Sequence, residues 1–446
     1  MIHQPTKNCN NSKSIVIIGN GVAGITCARN IRKSCNAPIT VISAETDHHF
    51  SRTALMYIYM GHMRYEDTKP YEDSFWKKNR INLLNRFVTH IDSAKKQISF
   101  SNGEYLNYEI LVLALGSKPN KFGWPGQDLK GVQGLYSYQD LQLIEENTKQ
   151  VKHAVVVGGG LIGVEMVEML KSRNISVTFL VREKNFWNIV LPAEEAKIIE
   201  NHIHEHHVDL RLDTELREII SDENGRVKAI LTSKGDVINC EFVGLTVGVS
   251  PNIDFVKGSK INTDRGILVD EHFETNIKDI YAIGDCAQFI NPINGRRPIE
   301  QVWYTGRMHG ETLAHALAKC EKIAYNPGHW FNSAKFFDIE YQTYGVVPSK
   351  LPENLSSFYW EHARGQICLR IVFEKSSQKF VGLNVLGIRM RHVILDKWLT
   401  EERSIEYVIE NLSLANFDPE FCEKHEKEIR ITFNNNQFNI TKGIQK

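Results

Sequence analysis

A membrane span needs roughly 18 consecutive apolar residues, and no stretch of this chain approaches that length. Net charge is also missing. Lys+Arg and Asp+Glu both number 53, so no bulk field draws the chain to nucleic acid or to an anionic bilayer. There is no CxxC pair: Cys9, Cys27, Cys35, Cys240, Cys286, Cys320, Cys368 and Cys422 are scattered. In a long chain without a secretion signal, such spacing does not read as a disulfide framework. The opening MIHQPTKNCNNSKS has no apolar leader core and reads as a short disordered lead. A cytoplasmic protein with reduced thiols is expected. The 446 residues, 42% of them hydrophobic, suffice for two or three well-packed domains.

What is present starts at Ser14. An apolar run, Ile15 to Ile18, feeds the turn Gly19-Asn20-Gly21-Val22-Ala23-Gly24. A helical segment follows, then the β-branched run Ile39 to Ile42, closing at Glu45. This strand–turn–helix–strand order with GxGxxG at the turn is a dinucleotide-binding pattern. Gly19 permits the tight turn, Gly21 lets the backbone approach a pyrophosphate, and Gly24 lets helix and strand pack closely. The N–H groups at the helix start favour phosphate charge. Glu45 lies about 20 residues beyond the last glycine, where a carboxylate accepts from ribose hydroxyls. The plainer alternative is a glycine turn inside an ordinary α/β domain.

The pattern repeats. Ala154 to Val157 runs into Gly158-Gly159-Gly160-Leu161-Ile162-Gly163, a helix carrying Glu165, and a strand Val177 to Val181. Two dinucleotide units in one chain imply electron transfer between two bound cofactors. Between them, Ile110 to Gly116 reads as a buried parallel strand, and Pro119, Gly123, Pro125 and Gly126 mark a crossover. Asn102-Gly103 signals a hairpin. Gly248-Val249-Ser250-Pro251-Asn252 closes the second unit. A short strand then delivers Gly284-Asp285 at its carboxyl edge, where ligands sit in open α/β sheets. Beyond Tyr325 the texture turns antiparallel: Ile367, Leu369, Ile371 and Phe373 alternate, and Phe380 to Leu386 returns.

GNGVAG with Glu45, LVLALGSKP, GGGLIGVEM, VGVSPN and TNIKDIYAIGDCA occur in an order that resembles the FAD-dependent pyridine-nucleotide-disulfide oxidoreductase superfamily. The match covers about residues 14–320. The resemblance implies an α/β fold with two Rossmann-like dinucleotide-binding domains, glutathione-reductase-like, and a C-terminal α+β interface domain that often dimerises. The expected bounds are 1–120 with 253–324 for FAD, 121–252 for NAD(P)H and 325–446 for the interface domain. It also implies roles. Gly19, Gly21, Val22, Ala23 and Gly24 would cradle the FAD phosphates and Glu45 the ribose. Ala114 and Gly116 would border the flavin, and Val88 would hold the adenine through its backbone. Asp285 would bind the ribityl–pyrophosphate region, and Trp303 would lie beside the flavin. Gly158, Gly160, Leu161, Ile162, Gly163 and Gly248 would hold NAD(P)H, with Glu165 near the nicotinamide. Asp285 could equally cap a helix, Trp303 could be a buried aromatic, and Glu165 could be a helix-surface acid.

Disulfide reductases of this superfamily carry a cysteine pair after the first βαβ unit, and peroxidase and oxidase members a single cysteine. Here the segment is Phe50-Ser51-Arg52-Thr53-Ala54-Leu55, with Thr53 at the approximate cysteine position. A disulfide relay needs a thiolate against the flavin, so that chemistry is not expected. The chain instead resembles the branch of ferredoxin and rubredoxin reductases and the flavin part of NADH-dependent nitrite reductase. There Arg52 would lie beside the isoalloxazine, although the Pro and Lys of that branch's RPxLSK pattern are absent. The bland reading of Arg52 is a surface ion pair. Val181 stands where NADH-specific members place an acid. Arg182 follows and suits a 2′-phosphate, which leans towards NADPH, while Glu183 keeps NADH open.

The expectation is an FAD-containing NAD(P)H oxidoreductase passing electrons to a carrier such as ferredoxin or rubredoxin. The alternatives are an NAD(P)H oxidase and a redox-responsive flavoprotein like apoptosis-inducing factor. Arg296-Arg297 and Arg389-Met390-Arg391-His392 are basic spots that could dock an acidic carrier. His202 and His206 share a helix face at i, i+4, but no third metal ligand lies near them in sequence. A solvated helix face is the better reading of that cluster.

Overall fold

The computed structural model describes residues 13–417, 420–421 and 423–443, with side chains to 435. The expected disordered lead, Cys9 and Cys422 lie outside the described residues. The chain packs into two compact units: residues 1–123, 127–151 and 245–327 form one, and 124–126, 152–244 and 328–446 the other. Among the described residues, no helix is long and apolar enough to cross a membrane.

The first unit is built on a five-stranded sheet in the order Ile280–Ala282, Ile110–Leu113, Ile15–Ile18, Ile39–Ser43, Ile81–Asn85, every neighbouring pair parallel. The central strands are apolar on both faces because helices and loops cover both. Helix Val22–Ser34 packs against helix Trp303–Lys319. Gly310 makes this close approach possible: a Cβ there would lie 2.5 Å from the Ala23 carbonyl oxygen. An antiparallel sheet of Val88–Asp92, Gln97–Phe100 and Tyr105–Asn107 lies in the same unit, turned at Gly103 with φ +83°. Ser117–Pro119 pairs antiparallel with Val249–Pro251, so the two outward and returning crossovers meet in one ladder.

The second unit carries the strand order Asp209–Arg211, Ser176–Leu180, His153–Val157, Phe242–Leu245. Beside it is an antiparallel sheet of Leu216–Ser221, Val227–Thr232 and Val237–Asn239. Its C-terminal part is a five-stranded antiparallel sheet in the order Phe331–Phe336, Ile339–Gly345, Phe380–Leu386, Cys368–Glu374, Leu355–Glu361. Helices His392–Thr400 and Ile405–Glu410 bury Leu395, Trp398, Ile405 and Val408 against it. The architecture is therefore the expected one: two Rossmann-like parts and a C-terminal antiparallel domain.

Cys27, Cys240, Cys286, Cys320 and Cys368 are free. One expectation is corrected. His202 is not on a solvated face but only 3% exposed, because the hairpin holding Asp338 covers it. The basic spots are partly neutralised: Arg296 forms a bidentate pair with Glu300, and Arg389 pairs with Glu340.

One buried ion pair ties helix Ala193–Glu205 to the C-terminal sheet. Arg370 Nε donates to Glu195 Oε1 at 2.7 Å, and its Nη2 donates to Glu194 Oε2 at 2.8 Å. The Arg370 and Glu195 side chains are 6% and 0% exposed. Removing one partner strands the other charge in the interior, which costs about 3–5 kcal/mol. Arg370→Ala should therefore lower stability by about that amount, and Arg370→Met with Glu195→Leu should recover most of it. Thermal denaturation of the three proteins checks this; equal melting of Arg370→Ala and the parent would refute it.

Candidate functional site

In the first unit the glycine turn leaves the carboxyl end of Ile15–Ile18 with Gly19 at φ +115°. A Cβ on Gly19 would lie 2.0 Å from the Ala114 carbonyl oxygen, and one on Gly24 2.1 Å from the Gly19 carbonyl oxygen. A Cβ on Gly21, the residue preceding the helix, would meet nothing within 4 Å. Two glycines are thus required by protein backbone, while the third borders open space. The helix start beyond it has no acidic residue in its first turn, so the N–H groups there face that space without a resident anion.

The walls are polar. Glu45 is held by Arg52, whose Nη1 and Nη2 donate to its two carboxylate oxygens at 2.8 and 2.6 Å. The Tyr138 N–H donates to Glu45 Oε1 at 2.9 Å. Arg52 also donates to the Tyr136 carbonyl at 2.6 Å, and its guanidinium lies 4.5 Å from the Tyr136 ring centre. Burial works against this charge, but the Glu45 carboxylate more than compensates and raises the Arg52 pKa. Asp285 follows the strand Ile280–Ala282 on a short 3-10 turn. Its Oδ2 accepts from Ser117 Oγ at 2.9 Å and from Tyr136 Oη at 3.4 Å. Gln301 Nε2 donates to the same Ser117 hydroxyl at 2.7 Å. Burial raises the Asp285 pKa, while Ser117 and Arg52 hold it down.

The remaining predicted residues of this unit take definite places. Gly116 has φ +67°, and a Cβ there would lie 2.7 Å from Tyr136 Oη. Ala114 N donates to the Ile18 carbonyl. Thr53 is exposed, with its hydroxyl 3.2 Å from that of Ser51. Val88 begins the antiparallel sheet with its side chain buried. Trp303 is 40% exposed at the start of its helix rather than buried. Gly248 lies on the crossover ladder, where its carbonyl accepts from Asn120 N at 3.1 Å. Cys286 turns away from Asp285 into the sheet and accepts from Leu115 N at 3.3 Å. Behind Gly284, the buried His309 Nδ1 accepts from its N–H at 3.2 Å. Burial depresses that imidazole to about 3, so it stays a neutral acceptor.

The second glycine motif repeats the local geometry. Gly158 has φ +116°, a Cβ on Gly159 would lie 2.7 Å from the Val181 side chain, and Gly160 borders open space. Leu161, Ile162 and Gly163 open the helix Leu161–Ser172. Glu165, one turn in, is raised to about 7 by burial and by the neighbouring Glu168. Arg182 is exposed and pairs with Glu183 at 2.8 Å.

Tyr136, Ser117, Gln301 and His309 were not singled out from sequence. Ser117 stands inside the LVLALGSKP run, but nothing local marks the others.

An open backbone cradle at a helix N-terminus, a ribose-type acid and a second acid beyond it fit a bound FAD; the second motif fits a nicotinamide dinucleotide. The chain belongs to the pyridine nucleotide-disulphide oxidoreductase family, whose profile matches residues 13–310. It is therefore an oxidoreductase, and membership implies FAD and NAD(P)H. It is similar to the NADH-rubredoxin oxidoreductase of Clostridium acetobutylicum, 32% identical over 285 residues, covering 62% of this chain and 69% of that protein. It is also similar to an NADH oxidase of Methanocaldococcus jannaschii, 31% identical over 322 residues, covering 68% and 70%. In fold it resembles the covalent putidaredoxin reductase–putidaredoxin complex, with TM-score 0.77 and 22% identity over 95% of this chain and 99% of that one.

Two expected outcomes follow from this geometry. Gly21→Asp should fold normally by circular dichroism yet purify without bound flavin, whereas Gly19→Ala should destabilise the fold itself. Glu165 has an ordinary pKa of 4.5 and a folded value of about 7. The folded state therefore holds the proton more tightly, and the stability this gives is full below about pH 4.5 and lost as pH rises through 7. Glu165→Gln should melt above the parent at pH 8 and level with it at pH 4.5; parallel melting curves would contradict the raised value.

Proposed function

We propose that the chain is an FAD-dependent NAD(P)H oxidoreductase that passes electrons to a small electron-carrier protein of the rubredoxin or ferredoxin type, without a redox-active disulfide. The carrying observation is the floor of the first cleft. It offers Arg52, bonded to Glu45 and under the influence of Asp285, and the segment Phe50 to Leu55 holds no cysteine where a dithiol enzyme needs thiols. The names of the relatives support the same reading.

Bound FAD supplies a two-electron acceptor between the nicotinamide and the outgoing carrier. The protein's own part is placement and charge. Gly21, Val22, Ala23 and Gly24 present backbone N–H groups to the pyrophosphate, and Gly19, whose own N–H donates to the Ile42 carbonyl at 2.7 Å, sets the turn. Glu45 accepts from a ribose hydroxyl with the lone pair that Arg52 and the Tyr138 N–H leave free. Asp285, oriented by Ser117 and Tyr136, accepts from the ribityl chain. Arg52 carries a permanent positive charge beside both acids and offsets negative charge that builds on the cofactor. Ala114, Gly116, Val88 and Trp303 complete the walls. In the second unit Gly158, Gly160, Leu161, Ile162 and Gly163 hold the dinucleotide, with Glu165 assigned to its nicotinamide end. Glu165, titrating near neutrality, is suited to hold or release a proton there. Arg182 favours NADPH through its 2′-phosphate, once it exchanges Glu183 for the ligand.

The three-part partition at 1–120 with 253–324, 121–252 and 325–446, and homodimerisation through the last part, belong to the same proposal. Arg297 in the first unit and Arg391 in the second are exposed, and each is a candidate contact for a carrier with an acidic face. The Methanocaldococcus relative favours a second reading, an oxidase that hands electrons to oxygen.

Anaerobic titration of the yellow protein with NADPH and with NADH, followed at the flavin band, tests the proposal. One equivalent should bleach the flavin completely, NADPH at lower concentration than NADH. A requirement for two equivalents would reveal a second redox centre and overturn the disulfide-free reading. Rapid aerobic consumption of reduced nucleotide without a carrier would favour the oxidase.

A further inference from the structure

Helix Ala193–Glu205 ends with His202 and His206 on one face, and the hairpin between Phe331–Phe336 and Ile339–Gly345 brings Asp338 to them. His202 Nε2 contacts Asp338 Oδ1 and lies 3.2 Å from His206 Nε2, which is 3.7 Å from the same oxygen. Three electron-pair donors thus converge on one point. The third ligand that the sequence lacks locally comes from 136 residues further on. We propose that His202, His206 and Asp338 form a binding site for a divalent first-row metal of the Zn2+ class.

The outer contacts have the form such a site needs. His202 Nδ1 is 3.1 Å from Glu205 Oε2, the carboxylate–histidine arrangement that fixes a ligand's tautomer and leaves Nε2 a bare lone pair. Gln366 Nε2 donates to that same Glu205 oxygen at 3.3 Å. With Nδ1 so engaged, Nε2 faces a carboxylate and a second imidazole nitrogen. That meeting of lone pairs requires a cation, either a proton or a metal. Phe337 holds the hairpin in place. It sits at φ +57°, a strained conformation for a bulky residue, and stacks on the His206 ring at 4.1 Å and 7°.

Distances decide the class of metal. Tetrahedral bonds of 2.0–2.2 Å separate ligand atoms by about 3.3 Å. The two His–His and His–Asp spacings of 3.2 and 3.7 Å bracket this. Only the His202–Asp338 approach must widen, and the Asp338 side chain, 74% exposed, is able to move. Two imidazoles and one carboxylate suit Zn2+ rather than the all-oxygen shells of Mg2+ or Ca2+. The exposed side of the cluster leaves the fourth position to water. The metal would staple the helix end to the C-terminal sheet.

The probe is Co2+, added to the metal-stripped, FAD-loaded full chain and followed by its ligand-field bands beyond the flavin absorbance, with Zn2+ as competitor. The parent should take one Co2+ with a tetrahedral spectrum and release it to Zn2+. His206→Ala, at a half-buried position, and Asp338→Asn, at an exposed one, should weaken binding at least tenfold. Glu205→Gln should weaken it by about 10–100-fold. Zn2+ should raise the melting temperature of the parent and not of His206→Ala, whose metal-free melting reports intact folding. Equal Co2+ affinity in His206→Ala and the parent would overturn the proposal. So would loss of the Co2+ signal only when His362 and His425, which form a separate cluster with Glu428, are replaced.

Discussion

The first cleft exists because three stretches of backbone meet with no side chain between them. Gly19 lies against the Ala114 carbonyl, and Gly24 lies against Gly19. That contact sets where the first helix starts relative to the strand ends. It therefore sets where its free N–H groups point and how far Glu45 and Asp285 stand from them. A methyl group at either glycine would push the helix off the sheet and move every other donor and acceptor in the cleft. Gly21 differs: no protein atom lies within 4 Å of where its Cβ would be, and this is the space the proposal gives to a ligand. A similar division recurs in the second unit, where a Cβ on Gly159 would meet the Val181 side chain and one on Gly160 would meet nothing within 4 Å.

Electrostatics then sorts the cleft. Arg52 stands between two acids with different surroundings. Glu45 is locked by two arginine bonds and a backbone N–H. Asp285 is steered by neutral hydroxyls and kept higher in pKa by burial. His309, neutral and deep behind Gly284, fixes the backbone that carries Asp285. The cleft is thus organised from behind as well as from its walls.

Much of this was legible in the sequence because it is local. A β-branched run, a glycine turn and an apolar helix lie within a few residues of one another, and each glycine position has a steric reason that spacing alone exposes. The C-terminal sheet was legible through strict alternation at Ile367, Leu369, Ile371 and Phe373. What escaped is non-local. Tyr136 reaches Asp285 across 149 positions, Gln301 reaches Ser117 across 184, and Asp338 reaches His202 across 136. Nothing in a residue's own neighbourhood records such a meeting. The misreading of His202 has the same origin: a polar face looks solvated until the segment that covers it is known. The pairing of Arg389 was hidden likewise, because Glu340 lies far from it in sequence.

The division of the chain carries a consequence for how the molecule comes into being. The polypeptide passes between the two units at residues 123, 126, 151, 244 and 327. Neither unit is a contiguous piece of the gene. During synthesis from the N-terminus the first sheet waits for its edge strand Ile280–Ala282, and the cleft has no Asp285 until nearly two thirds of the chain has emerged. The second parallel sheet is complete well before then, so the part made later is the first that can close on itself. A deletion that reaches Ile280–Ala282 would therefore damage a sheet that begins far upstream, at Ile15.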